Sequence, residues 1–168
     1  SIHAQIYDAN GDKVGAEFQV NTYTTSNQSV PSITALNDGG FAITWTSDGQ
    51  DSDGGGIYAQ IYNANGDKVG AEFQVNTYTT ATQYGSSITE LAGGGFAITW
   101  HSNEQDGDGG SIHAQIYDAD GIRVGDEFQV NTTTTSSQYS SSITELAGGG
   151  FAISWNSNEQ DGDGWGVF

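Results

Sequence analysis

The sequence predicts an all-β protein built from three tandem units of four antiparallel strands. A 55-residue segment occurs three times in the 168-residue chain, at 1-55, 56-110 and 111-165, and residues 166-168 match the start of a fourth unit. Short alternation of apolar and polar residues fills each unit, and helical periodicity is missing. A fixed period of this size is typical of stacked supersecondary units. We therefore expect the three units to form one β-repeat domain together.

Each unit contains four short segments with the pattern of strands. In the first unit the segment 2-6 alternates, and the Asn-Gly pair at 10-11 predicts a hairpin turn after it. The remaining strands of this unit are expected at 17-21, 32-36 and 41-45. The last of these is the most apolar and carries packable side chains on both faces, as a sheet between two neighbours requires.

Two successive hairpins make a four-stranded meander, which predicts that each unit is one blade of a β-propeller. A β-trefoil, which also has three units of four strands, is the alternative. Three blades alone do not close a propeller ring, whose usual size is about four to eight blades. The propeller interpretation therefore requires self-association, as a dimer that closes a ring or as a longer array, or a chain that is one segment of a longer array, which the start of a fourth unit at 166-168 favours.

Composition excludes several classes of partner. The chain has three Lys and Arg residues against 21 Asp and Glu residues, a net charge of -18. Such a surface repels phosphate, so nucleic acid and anionic membranes are not expected partners. No long apolar run predicts membrane insertion. Cysteine is absent, which excludes disulfides and thiolate metal sites.

An acidic, glycine-rich loop recurs in every unit and is the candidate metal site. It reads Gln-Asp-x-Asp-Gly, and calcium prefers carboxylate, amide and carbonyl oxygens of this kind. Crowded carboxylates in one loop also favour a bound cation. The other interpretation is that Asp and Gly make solvated Asx-turns between strands. The candidate ligands are nine carboxylates, Asp48, Asp51, Asp53, Glu104, Asp106, Asp108, Glu159, Asp161 and Asp163.

Near-identical copies argue against a single catalytic constellation, so we expect the protein not to be an enzyme. His3, His101 and His113 are replaced by other residues in equivalent positions, and we expect them at exposed strand or loop positions. The Trp that ends the last strand of each unit is expected to pack between blades. Positions that differ between copies are better ligand candidates, because they can vary on a shared scaffold. These are Tyr23, Tyr78, Tyr84, Tyr139 and Trp165.

Three recurring strings resemble a known bacterial repeat. They are Gln-Asp-x-Asp-Gly, Glu-Phe-Gln-Val-Asn-Thr and Gly-Gly-Phe-Ala-Ile-x-Trp. Together they resemble the tandem repeats of large secreted calcium-binding proteins of the hemolysin-type (RTX-associated) and adhesin kind. The resemblance implies a secreted or cell-surface setting, a propeller-like fold and bound calcium. The Gly-Gly-x-Gly-x-Asp array of calcium β-rolls is absent, so the β-roll fold is not implied.

These observations predict a non-enzymatic, calcium-stabilised extracellular module that serves adhesion, surface display or filament and matrix building. The alternative is a carbohydrate-binding lectin with sites between repeats, since recurring aromatic rings beside Asp, Asn and Gln suit sugar recognition. Glycans are accordingly the second expected partner class, after other copies of the same repeat.

Overall fold

A computed structural model describes residues 1-168, which form thirteen β-strands and no helix. The all-β prediction is confirmed. No helix is present that could cross a membrane. In chain order the strands are β1 (His3–Tyr7), β2 (Lys13–Gln19), β3 (Gln28–Ala35), β4 (Phe41–Asp48), β5 (Gly55–Tyr62), β6 (Lys68–Gln74), β7 (Gln83–Glu90), β8 (Phe96–Asn103), β9 (Gly110–Tyr117), β10 (Arg123–Gln129), β11 (Gln138–Glu145), β12 (Phe151–Asn158) and β13 (Trp165–Val167).

The strands form four antiparallel sheets. Two are complete four-stranded meanders, with the order β3-β4-β5-β6 in blade 1 and β7-β8-β9-β10 in blade 2. The sheets at the two ends of the chain are incomplete. The half-blade contains β1 and β2, and blade 3 contains β11, β12 and the short β13.

The blades do not coincide with the sequence units. Blade 1 joins the last two strands of the first unit to the first two of the second, because β4 and β5 pair along their whole length, from Phe41 opposite Tyr62 to Asp48 opposite Gly55. The prediction that each unit forms one blade was therefore wrong by half a unit. The acidic loop at 49-54 is the hairpin connection within a blade, and a sequence unit begins in the middle of a sheet.

Neighbouring blades pack face to face through apolar side chains. One cluster of eleven buried residues joins blade 1 to blade 2, and a second cluster of six joins the half-blade to blade 1. Trp45 and Trp100 are fully buried in these clusters, which confirms the interpretation that this Trp packs between blades. Trp155 is only half-buried, because blade 3 has a neighbour on one face alone.

The first strands of the three blades, β3, β7 and β11, lie side by side at the inner edge of the arc. Hydroxyls of one inner strand accept main-chain hydrogen bonds from the next. Ile88 N donates to Ser32 Oγ at 3.3 Å, and Ile143 N donates to Ser87 Oγ at 3.4 Å. The sheets therefore radiate from a common axis, as in a propeller.

A buried Asn orders the Thr-rich loop that leads into each inner strand. Asn76 Oδ1 accepts a hydrogen bond from Ile57 N at 2.7 Å, and its Nδ2 donates to Tyr78 O at 2.7 Å and to Gln83 Oε1 at 3.0 Å. The same arrangement recurs at the equivalent positions of the other units. These loops thus have fixed ends, although they contain no regular structure.

Candidate functional site

A cavity of about 740 Å³ lies where the inner strands of the three blades converge. Its volume is in the range of small-molecule sites, about 300–1,000 Å³. Neither Asp nor Glu lines it. The lining residues are Val30, Tyr84, Gly85, Ser86, His101, Tyr139, Ser140, Ser141, Asn156 and Trp165.

One side of this axial cavity is aromatic. The rings of Tyr139 and Trp165 lie 5.5 Å apart between centroids, and the His101 ring meets Tyr139 edge-on at 4.4 Å. Trp165 is 57% exposed, while Tyr139 is half-buried. Because Trp165 is largely open to solvent, its ring face is available to a ligand that enters the cavity.

Three of the five aromatic residues predicted as ligand contacts meet in this cavity. They are Tyr84, Tyr139 and Trp165. Tyr23 and Tyr78 lie apart from it, in the loops before the inner strands, where the Tyr23 hydroxyl donates to Gly49 O at 3.3 Å. The fold separates the five residues because Tyr84 and Tyr139 lie on inner strands and Trp165 begins β13, whereas the other two lie in loops.

Sequence reasoning missed the histidine and the small polar residues of the lining. His101 is buried, and its Nε2 lies 2.9 Å from Asn103 Oδ1. Burial lowers the pKa of His101 below its ordinary value, and the hydrogen bond with Asn103 opposes this shift. The equivalent residues are Thr46 and Asn156, so the variation among the copies was the available signal. At neutral pH the cavity therefore presents a neutral imidazole.

Each inner strand enters the cavity through a bulge. The pairing register shifts at this point in all three blades. Val30, Gly85 and Ser140 occupy equivalent positions there, with φ of 52°, 69° and 58°. Positive φ is natural for glycine but strained for a β-branched residue. All three bulge residues line the cavity, and strain is stored at Val30.

The acidic loops use their carboxylates as hydrogen-bond acceptors. Asp51 Oδ1 accepts from Asp53 N at 3.4 Å, and its Oδ2 accepts from Gln74 Nε2 at 3.1 Å. Asp53 Oδ2 accepts from Ala81 N at 3.2 Å, across to the next blade. The loop of blade 2 repeats all three contacts. The carboxylates therefore stabilise an Asx-turn and link neighbouring blades.

The structure contains no group of three or more His, Asp or Glu residues placed to hold a metal ion. The two Asp side chains of a loop are directed to different partners, so the donor set does not fit a preformed calcium cage. Burial raises the pKa of Asp51, the main-chain hydrogen bond from Asp53 lowers it, and the charge of Asp53 raises it. Calcium binding by these loops stays a prediction.

The expectation that the histidines are exposed holds for His3 alone. His101 and His113 are both buried, because neighbouring strands and blades cover them. His113 Nδ1 lies 3.8 Å from Glu127 Oε1, and Ser111 Oγ lies 3.0 Å from its Nε2. Burial lowers the pKa of His113, while the charges of Glu127 and Asp106 oppose the shift. The predicted exposure of both histidines was wrong, because alternation of apolar and polar residues was taken to indicate one exposed face, whereas these strands are buried on both faces.

Glu127 belongs to a second recurring contact between blades, which sequence reasoning did not identify. Its Oε2 accepts from Thr77 N at 2.6 Å, and its Oε1 accepts from Gln105 Nε2 at 2.6 Å. Glu72 makes the same pair of contacts with Thr22 N and Gln50 Nε2, both at 2.7 Å. The Gln of the acidic loop therefore binds a carboxylate of its own blade.

Comparison with known proteins supports the fold. No family model matches the sequence, and no curated protein does. Among solved structures, an endo-arabinase from Bacteroides thetaiotaomicron VPI-5482 is similar over 97% of this chain, with a TM-score of 0.57 and 13% sequence identity. The aligned part is 63% of the length of the arabinase chain. That protein is a β-propeller, so the propeller prediction is confirmed over the trefoil.

The same comparison corrects the prediction that the protein is not an enzyme. That prediction was based on the view that near-identical repeats do not build a catalytic site, and the similar structure belongs to an enzyme. Because unrelated functions share this kind of fold, 13% identity shows the fold alone. The chain is similar to part of a propeller whose full length extends beyond it.

Proposed function

We propose that the axial cavity binds a neutral carbohydrate. The observation that supports this most directly is the placement of Tyr84, Tyr139 and Trp165 around one concave site. Aromatic faces stack on the apolar face of a sugar ring, and neighbouring polar groups bind its hydroxyls. The lining offers Asn156 and several Ser hydroxyls for the second task.

The charge of the protein disfavours charged ligands at the axial cavity. With a net charge of -18, the surface repels anionic ligands at low ionic strength. The lining has no carboxylate to pair with a cation, and His101 is neutral at pH 7. An uncharged oligosaccharide is therefore the ligand that this cavity suits best.

A panel of neutral oligosaccharides, screened as an array and then by calorimetry, tests the proposal. We expect Trp165→Ala and Tyr139→Ala each to weaken binding of a hit by about tenfold, since an aromatic contact contributes about 0.5–1.5 kcal/mol beyond its buried area. Phe128→Ala is the matched control, because Phe128 is a partly exposed ring outside the cavity. Each bound oligosaccharide is also incubated with the protein and examined for cleavage products. Absence of any hit, or hits unaffected by both cavity variants, would refute the proposal.

Calcium stabilisation of a secreted or cell-surface repeat is the second candidate. The raised pKa of Asp51 supports it, because burial of this carboxyl and, to a smaller extent, the charge of Asp53 disfavour its ionised form, which a bound cation would stabilise. Since the carboxylates point to separate partners, calcium would have to rearrange the loop as it binds. An adhesion or display role depends on this candidate and on the family resemblance.

Melting curves of chelator-treated protein with added calcium test the second candidate, with magnesium as the matched ion. Calcium at about one hundred times its Kd is expected to add about 2.7 kcal/mol to the free energy of unfolding. Asp51→Asn with Asp53→Asn in one loop should reduce this gain. An unchanged melting temperature at millimolar calcium contradicts the candidate.

A further inference from the structure

The two incomplete sheets at the ends of the arc are complementary. The half-blade contains β1 and β2, which correspond by repeat position to the third and fourth strands of a blade. Blade 3 has β11 and β12, the first and second strands, followed by the three-residue β13. Placed together, β11-β12 and β1-β2 contain the strands of one complete blade.

Apolar side chains that are buried inside the arc are exposed at its ends. Ile33, at the half-blade end, is 61% exposed, while the equivalent Ile88 is 6% exposed. At the other end Leu146 is 47% exposed, whereas the equivalent Leu36 is 9% exposed. Both end surfaces thus have the composition of an interface between blades, without a neighbour to cover them.

The polar groups of the ends complement each other in the same way. Glu72 and Glu127 each accept hydrogen bonds from a Thr N and a Gln side chain. At the half-blade end the equivalent Glu17 contacts His3 instead, with 3.3 Å between Glu17 Oε1 and His3 Nδ1. The donors that this carboxylate would bind by repeat position are Thr132 N and Gln160 Nε2, which lie at the blade 3 end.

The basic side chains also have matching partners at the opposite end of the arc. Lys68 Nζ donates to Val20 O at 2.9 Å, and Arg123 donates to Val75 O at 2.9 Å, in each case across to the preceding blade. Lys13, the equivalent residue of the half-blade, has no preceding blade to reach. Its partner by repeat position is Val130 O, at the opposite end of the arc. Donors at one end therefore match acceptors at the other.

An open cavity of about 390 Å³ marks the place of the missing strands. It lies between β1 and the β3-β4 hairpin, and its lining includes Ala4, Ile6, Ile33 and Phe41. In blades 1 and 2 the equivalent edge of the third strand pairs with the second strand of its own blade. The lining of the cavity is mostly apolar and includes residues of β1, whose edge opposite β2 is unpaired. An unpaired edge of this kind is a template for strand addition.

We propose that a second copy of this chain docks head to tail, with β12 of one copy pairing with β1 of the next to complete a four-stranded blade. The register follows from the internal blades, where Thr44 lies opposite Ala59 and Thr99 opposite Ala114. It places Ser154 of one copy opposite Ala4 of the other.

Docking requires one local change. Gly166, Val167 and Phe168 occupy the repeat positions of Ser1, Ile2 and His3, so β13 leaves β12 beyond Trp165 when the second copy binds. Trp165 itself keeps its place at the axial cavity. Because the two contacting surfaces differ, this is a heterologous interface, which generates a closed ring or a filament.

Cross-linking tests the register. The chain has no cysteine, so Ser154→Cys combined with Ala4→Cys introduces one pair at the proposed contact. We expect covalent dimers and higher species on mild oxidation, and their loss on reduction. Ser154→Cys with Gln5→Cys is the matched control, because successive strand residues point to opposite faces. Equal cross-linking of the two double variants, or none in either, overturns the proposed pairing.

Sedimentation of the unmodified chain over a wide concentration range tests the association itself. We expect mass to rise with concentration, and Ile33→Asp to hold the protein in the monomeric form. Ile122→Asp is the control, since Ile122 is 63% exposed but lies in a hairpin turn away from both ends. Circular dichroism of both variants establishes that they remain folded. A monomer at every concentration, or assembly that Ile33→Asp leaves unchanged, refutes the proposal.

Discussion

Replacing Asn76 by Ala tests how a chain with few apolar residues keeps its long loops ordered. Asn76 is 2% exposed and makes three hydrogen bonds of 2.7 to 3.0 Å through one amide. The substitution leaves Ile57 N and Gln83 Oε1 without these partners in a fully buried environment. Each buried group left unpaired costs about 1–3 kcal/mol, so the expected loss of unfolding free energy is about 2–6 kcal/mol.

Urea denaturation followed by tryptophan fluorescence measures this loss. Asn65→Ala is the matched control, because Asn65 is exposed in a hairpin turn and its side chain makes no internal hydrogen bond. An exposed substitution of this kind changes stability by about 0.5 kcal/mol or less. Since small domains have about 5–15 kcal/mol of stability in total, Asn76→Ala is expected to lower the urea midpoint strongly.

A loss below about 1 kcal/mol for Asn76→Ala would show that water replaces the amide and that the reasoning is wrong. Asn76→Asp separates geometry from hydrogen bonding, because it keeps the shape and the acceptor for Ile57 N. It places a carboxylate against the acceptors Tyr78 O and Gln83 Oε1, so it should be at least as destabilising as Ala.

Three further predictions concern pH and backbone strain. Burial lowers the pKa of His101 and His113, so below about pH 6.5 the unfolded chain binds more protons than the folded protein, and the free energy of unfolding should fall as the pH drops. Melting temperatures measured from pH 7.5 to 5 test this, and a melting temperature that does not change with pH contradicts it. Burial raises the pKa of Tyr58 and of Tyr62 to about 12, so stability should be full below pH 10 and be lost between pH 10 and 12, with a smaller loss in Tyr62→Phe. Val30→Gly should raise the free energy of unfolding by about 1 kcal/mol, because it removes a β-branched residue from φ of 52°; a decrease in the urea midpoint would show that Val30 is not strained.

The sequence predicted four strands for each unit, although β2 and β3 begin four residues before the expected 17-21 and 32-36, but it did not predict their grouping into sheets. Alternation and the Asn-Gly turn identify the β1-β2 hairpin, since both act over a few residues. In a tandem repeat, however, the sequence pattern does not indicate which four consecutive strands form one sheet, because the repeat can be divided at any of its loops. Pairing of β4 with β5 across the acidic loop and pairing of β2 with β3 across the Thr-rich loop are both compatible with the pattern. The choice is made by the buried Asn and Gln contacts of the Thr-rich loop, which fix it between blades rather than within one.

Burial of polar residues was the least predictable feature. Thr44, Gln60 and Gln115 are fully buried, and His113 is nearly so, although their sequence neighbours alternate as in a half-exposed strand. A strand in a propeller blade has a sheet on each face, so hydrophobicity does not distinguish its two sides. Hydrogen bonding compensates for part of this burial, as between Ser86 Oγ and Thr44 Oγ1 at 2.9 Å, whereas the Oε1 atoms of Gln60 and Gln115 have no partner. The hydrogen-bond partner of Thr44 lies in the neighbouring blade, 42 residues away in sequence, so the local sequence pattern does not reveal it.

The axial cavity shows how an asymmetric site arises on a repeated scaffold. Each contact between blades involves two units, so a substitution in such a contact disturbs the packing of one blade against the next. At the axis each unit contributes the same position to one shared space, and a change in one unit alters the lining without altering the packing of the blades. Tyr84 and Tyr139 show this, since both rings line the cavity, whereas Ser29 at the equivalent position of the first unit does not. The position of Trp165 is occupied by glycine in the other two units, at 55 and 110. At 110 even a Cβ would lie less than 3 Å from His101 and Tyr139, so a larger residue does not fit there. Trp165 is accommodated because it lies at the open end of the arc. The binding properties of this protein therefore depend on the positions that differ between units, and a head-to-tail neighbour would enclose Trp165 from its exposed side.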